Sequence, residues 1–151
     1  MPTFYMLIGV PGAGKSTWRA KHKKDATIAS SDDYIDAVAA NAGKTYSEVF
    51  RDHAKDGNNY ALQAAKAGFA RGDDVIWDQT NTSRKSRASK LAMVPKGYHK
   101  VAVFFPTPSD LKQRLAGRPG KFIPEPVLLS MINQLEPPSK EEGFDEIVTA
   151  G

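Results

Sequence analysis

The chain has 151 residues, 40% of them hydrophobic, no cysteine, and a formal charge of +4 from 21 basic and 17 acidic side chains. This length and apolar content suit one core, so residues 1–151 are read as a single domain. The lack of cysteine excludes a disulfide framework, a thiolate metal site and a cysteine nucleophile, and it suits a reducing, cytoplasmic location.

The charge balance describes a mixed surface rather than a basic tail, so it neither demands nor excludes a polyanionic partner. His22, His53 and His99 have no ligand spacing. No apolar run approaches transmembrane length, and no membrane partner is expected. The opening "MPTFYMLIGV" lacks a basic flank and runs straight into a glycine loop, which predicts a buried first strand.

Short apolar runs at Thr3–Ile8, Ala26–Ser30, Asp74–Trp77 and Val101–Phe105 read as strands, with Ile147 and Val148 as a short fifth. Between them the pattern predicts helices at Lys15–Lys24, Tyr46–Arg71 with an interruption at "DGNN", Ser83–Ala92, Ser109–Arg118 and Pro126–Leu135. Ser83 and Ser109 are candidate N-caps, and Gly72 and Gly117 candidate stops. "EPPSKEEG" is the one linker-like segment. This alternation is the mark of an α/β domain whose parallel sheet is covered by helices on both faces.

Gly9, Gly14, Lys15 and Ser16 match G-x-x-x-x-G-K-[ST] between the first strand and the first helix. In such a loop the glycines let backbone N–H groups converge on phosphate oxygens, where a helix N-terminus adds positive potential. Gly9, Pro11, Gly12, Ala13, Gly14 and Thr17 are read with Lys15 and Ser16 as the ATP-binding loop, with Ser16 the hydroxyl available to Mg²⁺. The motif specifies a nucleoside triphosphate and leaves the phosphate acceptor open.

Two carboxylates in "SDDY", Asp32 and Asp33, follow the second strand, where ligands of open α/β sheets bind. One of the pair suits a general base that takes a proton from an acceptor hydroxyl, or an N-cap for a helix starting near Tyr34. Asp78 closes the third strand in "WDQTN", where it can orient the metal's water shell or end the strand in a turn. Thr80 and Asn81 face either phosphate or the next turn. Arg114 and Arg118 in "LKQRLAGRPGK" stand four apart on one predicted helix face before Pro119 and Gly120, the pattern of a lid that closes over a triphosphate. "NTSRKSRASK" gathers Arg84, Lys85, Arg87 and Lys90 on the expected acceptor side, either to track a nucleic-acid backbone or as an ordinary solvated face. Trp18, Tyr34, Tyr46 and Phe50 suit either base stacking or the core.

Taken in order, "GVPGAGKSTW", "SDDY", "WDQTN" and "LKQRLAGRPGKFIPEPVL" resemble the kinase domain of phage-type polynucleotide 5′-kinases and their single-domain P-loop relatives, over nearly the whole chain. The resemblance implies a five-stranded parallel sheet of order 2-3-1-4-5, ATP as donor and Mg²⁺ as cofactor. It makes Asp32 the base toward a 5′-hydroxyl end of DNA or RNA. It assigns the ATP phosphates to Lys15, Arg114 and Arg118, and the catalytic set to Asp32, Lys15 and Arg118. Asp33, Tyr34, Asn81, Arg84 and Arg87 are the acceptor-side candidates. Two departures stand out. The family's acceptor-gripping arginine after "DDY" is Ile35 here, and no phosphatase domain follows, so the chain is expected to be a stand-alone kinase or an excised domain. A kinase of a small hydroxylated metabolite, nucleoside or nucleotide sugar, as in zeta-toxin-like relatives, is the second reading. A nucleotide-responsive binding module is the third.

Overall fold

A computed structural model describes residues 1–22 and 25–150. In chain order the elements are β1 (Thr3–Ile8), α1 (Lys15–His22), β2 (Thr27–Ala29), α2 (Ser31–Ala42), α3 (Tyr46–Arg71), β3 (Val75–Asp78), α4 (Arg84–Leu91), β4 (His99–Phe104), α5 (Leu111–Ala116), α6 (Glu125–Gln134), a 3₁₀ turn (Lys140–Glu142) and β5 (Glu146–Thr149). The five strands form one parallel sheet in the order β2-β3-β1-β4-β5, the order the motif resemblance implied.

Because side chains alternate along a strand, β1 serves two cores. Phe4, Met6 and Ile8 pack with Trp77 against Ala61, Ala65 and Phe69 of α3 and Leu91 of α4. Leu7 turns to the other face, with Ile76, Val101 and Val103, and meets Leu111 of α5 and Leu128 of α6. This two-sided burial explains why the strands read as apolar runs rather than as alternating patterns.

The region around α2 and α3 departs from the sequence expectation. α3 runs through "DGNN" without a break for 26 residues, starting from a capping box in which Thr45 and Glu48 satisfy each other's backbone N–H groups. Gly57 remains helical because it is the point where α2 crosses. A Cβ there would lie 3.1 Å from the Ser31 carbonyl and 3.3 Å from Ile35 Cγ1, so packing outweighs glycine's weak helix propensity. α2 begins at Ser31 rather than near Tyr34. Its cap is Ser30, whose Oγ accepts from the Asp33 N–H at 3.3 Å, so neither aspartate side chain is spent on capping.

Smaller corrections follow the same logic. α4 has its expected Ser83 cap, and α3 ends at Gly72 in the left-handed conformation. The residue before α5 is Asp110 rather than Ser109, and α5 ends at Ala116, so Arg118 lies beyond the helix. The last two positions of the first predicted helix, 23 and 24, lie outside the described residues. "EPPSKEEG" is a docked turn rather than a free linker, since its Glu142 pairs with Arg87. Among the described residues no helix is long and apolar enough to cross a membrane.

Gly68 sets the distance between α3 and the sheet. A Cβ at this position would lie 2.9 Å from Val75 Cγ2 and 3.0 Å from both Thr27 Cβ and Cγ2. Gly68→Ala should therefore lower the unfolding free energy by about 1–2 kcal/mol in a denaturant titration, despite alanine's better helix propensity. A neutral or stabilising result would show that α3 can lift off the sheet without cost.

Candidate active site

The site is built at the carboxyl ends of β1, β2 and β3, where the chain leaves the sheet. β1 runs directly into the glycine loop, which the Gly9 N–H anchors to the Thr80 carbonyl at 3.0 Å. Gly12 and Gly14 adopt φ of 85° and 109°, values that side chains resist, and this turns successive N–H groups into a cradle before α1 begins. α5 lies on the loop, with Leu111 and Leu115 closing over Gly12. Pro11 is half-buried, Ala13 packs into the core beneath, and Ser16 and Thr17 are exposed on the first turn of α1. Lys15 folds back so that Nζ donates to the Gly9 and Val10 carbonyls. Burial lowers its pKa to about 8, against the pull of Asp78 and Asp32, while Arg118 adds like-charge repulsion. Two cations thus share a space that an anion would stabilise.

The carboxylates are divided by Arg19, a residue that the motif reading missed. It stands one helical turn after Lys15, and that spacing is the signal that places both on one face of α1. Its guanidinium donates to Asp78 Oδ2 at 3.0 Å and to both oxygens of Asp33 at 2.9 and 2.8 Å. Asp33 is therefore tied to the strand ends. Asp78 is 9% exposed, and burial raises its pKa while Lys15 and Arg19 oppose the rise. Asp32 turns the other way, is exposed, and accepts a hydrogen bond from the Tyr46 hydroxyl at 2.5 Å. Burial raises the Tyr46 phenol pKa far above its usual value, and Asp32 reinforces the shift.

The Ser16 hydroxyl and the Asp78 carboxylate are the oxygen donors that the start of α1 and the end of β3 offer to a hard cation. Among the described residues, no group of three or more His, Cys, Asp or Glu side chains converges to hold a metal. That donor set fits Mg²⁺, which takes one or two protein oxygens and fills the remaining positions with phosphate and water.

Arg114 and Arg118 do not share a helix face. Arg114, on α5, contacts the Gly12 carbonyl at 3.4 Å and pairs with Asp110 at 2.9 Å. Arg118 sits in the turn after the helix, its N–H bonded to the Leu115 carbonyl. Its charge is felt at both Lys15 and Tyr46.

The expected acceptor side is largely committed to structure. Asn81 is 3% exposed with φ of 49°, and its Nδ2 donates to the carbonyls of Leu7, Trp77 and Gln79, pinning the β3 loop to β1. Arg87 is fully buried. It donates twice to Glu142 and to the carbonyls of Asn81, Thr82 and Glu136, so it cannot grip an acceptor in this conformation. Arg84 is turned to Glu136 at 3.7 Å. Tyr34 is half-buried, 5.5 Å from the Tyr60 ring, and Ile35 is a core residue of the α2–α3 contact. Gln79 joins three elements, accepting from Trp77 Nε1 and donating to Ser31 Oγ and Asn58 Oδ1.

A cradle of this kind at the end of the first strand, in a 2-3-1-4-5 parallel sheet, with arginines after the fourth strand, defines the P-loop kinase fold. A family model described as an AAA domain matches residues 4–138, and the chain belongs to that family. A kinase-like protein from Chloroflexus aurantiacus J-10-fl superposes with a TM-score of 0.70 at 14% identity, over 99% of this chain and 84% of that one. A chain of the Pnkp1/Rnl/Hen1 complex superposes with a TM-score of 0.57 at 20% identity; the match covers 82% of this chain but only 42% of the other. A shikimate kinase from Acinetobacter baumannii gives 0.51 at 17% identity, over 100% of this chain and 85% of that chain.

Lys90 provides a pH test of how the strand ends are held. It donates to Asn81 Oδ1, lies 5.2 Å from the Trp77 ring centroid, and has its pKa lowered by burial to about 8. Between that value and the unfolded lysine pKa of about 10.4, the unfolded chain binds more protons, so this contribution favours folding as pH rises. The unfolding free energy of the wild type should therefore gain on that of Lys90→Met between about pH 8 and 10, with a slope of up to ~1.4 kcal/mol per pH unit. Parallel pH profiles in denaturant titrations would mean that Lys90 is hydrated in solution.

Proposed function

We propose that the chain is an ATP- and Mg²⁺-dependent phosphotransferase that moves the γ-phosphoryl group to a hydroxyl acceptor, with the 5′-OH end of DNA or RNA as that acceptor. The observation that carries the reading is the separation of the two adjacent carboxylates. Asp33 is neutralised by Arg19, whereas Asp32 is exposed, feels the charge of Lys15 and, among the described residues, takes its side-chain hydrogen bond from a neutral phenol. A base serving an incoming hydroxyl needs that arrangement: solvent access, no fixed cation, and nearby positive charge reserved for phosphate. The motif order shared with polynucleotide 5′-kinases supports the choice of acceptor.

In this mechanism the loop N–H groups and Lys15 bind the triphosphate, and Lys15 exchanges its loop carbonyls for phosphate oxygens. Arg114 and Arg118 approach from the lid side. Ser16 and Asp78 would hold Mg²⁺, which supplies charge neutralisation of the β- and γ-phosphates when bound. Asp32 orients the acceptor hydroxyl and takes its proton as the oxygen bonds to phosphorus. Arg118 stabilises the charge that develops on the migrating group.

A small hydroxylated acceptor is the second reading, favoured by a specific observation. Arg87 is buried and Arg84 is paired with Glu136, so the two acceptor-side arginines expected after β3 are both engaged within the chain, and Ile35 is buried as well. The fold accommodates such chemistry, since a gluconokinase from Sinorhizobium meliloti and the shikimate kinase share it.

Transfer of labelled γ-phosphate to 5′-OH oligonucleotides, with 5′-phosphorylated copies as controls and a panel of sugars, hydroxy acids and nucleosides alongside, separates the two. Label confined to the 5′-OH strands is the expected result; label confined to a small molecule selects the second reading. Asp32→Asn should reduce transfer by about 100-fold or more while ATP affinity stays within about twofold. Full transfer by this variant would remove Asp32 as the base.

A further inference from the structure

The segment after α5 does not hang free over the loop. It is docked on the start of α3, around the residue that bonds Asp32. The Ser47 N–H donates to the Gly120 carbonyl at 3.0 Å, and Ser47 Oγ accepts from the Phe122 N–H at 2.7 Å. Between these two bonds Lys121 extends its ammonium over the Tyr46 ring, 4.7 Å from the centroid, and pairs with Asp36 at 3.2 Å. Phe50 stacks on the same ring from the next turn of α3, with centroids 5.6 Å apart. Tyr46 is thus gripped on both sides while its hydroxyl reaches Asp32 at 2.5 Å.

Resting on the assignment of Asp32 as the base, we propose that Tyr46 is a positioning residue which aims the Asp32 carboxylate, and that the lid segment 118–122 holds Tyr46 in place. A phenol donating to Oδ1 restricts rotation of the carboxylate and leaves Oδ2 for an acceptor hydroxyl. Because the lid carries Arg118 and Lys121 together, docking of the segment brings the phosphate-facing arginine and the clamp on Tyr46 into register as one event. The base is then ordered when the lid is down and loosened when the lid lifts, which limits proton abstraction to the closed state.

Asp32 interacts with Lys15 of α1, Tyr46 of α3 and Asp78 of β3, while Tyr46 in turn meets Asp36 of α2 and Arg118 and Lys121 of the lid. Tyr46→Phe leaves all of the others in place and removes one donor to the charged carboxylate. Carbon-13 NMR of the Asp32 carboxyl in the full chain at one fixed pH, with and without this substitution, reads that donor without any acceptor present. The Asp32 carboxyl resonance should move in Tyr46→Phe, because the hydrogen bond to one of its oxygens is lost. An unmoved resonance would overturn the proposal.

The kinetic arm uses a 5′-OH oligonucleotide. Tyr46→Phe should lower kcat by about tenfold with KM for ATP within about twofold. Lys121→Met should lower kcat in the same direction by a smaller factor. Wild-type kcat in Tyr46→Phe overturns the positioning role, and wild-type kcat in Lys121→Met overturns the part given to the lid. Failure of the base assignment itself is seen separately, as full transfer by Asp32→Asn.

Discussion

The double bridge from Arg19 to Asp33 and Asp78 is the interaction on which the site depends. One guanidinium ties α1, the start of α2 and the end of β3 together, with Asp78 at 9% exposure and Arg19 at 21% of side-chain area. A buried carboxylate at a strand end is costly without a partner, and a fixed, always-charged fork is the partner that can serve two carboxylates at once. By absorbing these two negative charges, Arg19 leaves Lys15 and Arg118 without a direct carboxylate contact among the described residues. Lys15 makes its bonds to carbonyls of its own loop, which is a weak substitute for phosphate.

The same division separates the two halves of the proposed chemistry. On the sheet side stand the glycine loop, Ser16, Asp78, Lys15 and Arg19. On the helical side stand Asp32, Tyr46 and the docked lid segment. Asp32 and Asp33 are adjacent in the chain, yet successive positions of a helix are rotated by about 100° from each other. The first turn of α2 therefore sends one carboxylate to Arg19 and the other to Tyr46. Ser30 makes this possible by capping the helix itself, so that neither aspartate is consumed at its N-terminus.

Several expectations failed for one shared reason, which is that tertiary contacts outweighed local propensity. "DGNN" carries residues that weaken helices, and it is helical because Gly57 provides the clearance at which α2 crosses α3. Arg87 belongs to a run of cations that reads as a solvated face, and it is fully buried because Glu142 arrives from 55 residues later in the chain. Ile35 stands where the motif resemblance to polynucleotide 5′-kinases leads one to expect an arginine. Its burial between α2 and α3 explains the departure, because a guanidinium at that point would have to be desolvated.

What the sequence determined by itself was whatever depends on neighbours along the chain: the glycine loop with Lys15 and Ser16, the apolar strand runs, the Ser83 cap, the Gly72 stop, and through the motif order the strand order of the sheet. These are governed by backbone conformation and by periodicity, which are local quantities. The tertiary structure alone decided which charge meets which. Arg19 reaches Asp78 across 59 positions, Arg87 reaches Glu142 across 55, and the lid reaches Ser47 across 75. Electrostatic partnership depends on distance in space and on burial, and neither can be read from the chain until the sheet has brought its strand ends together.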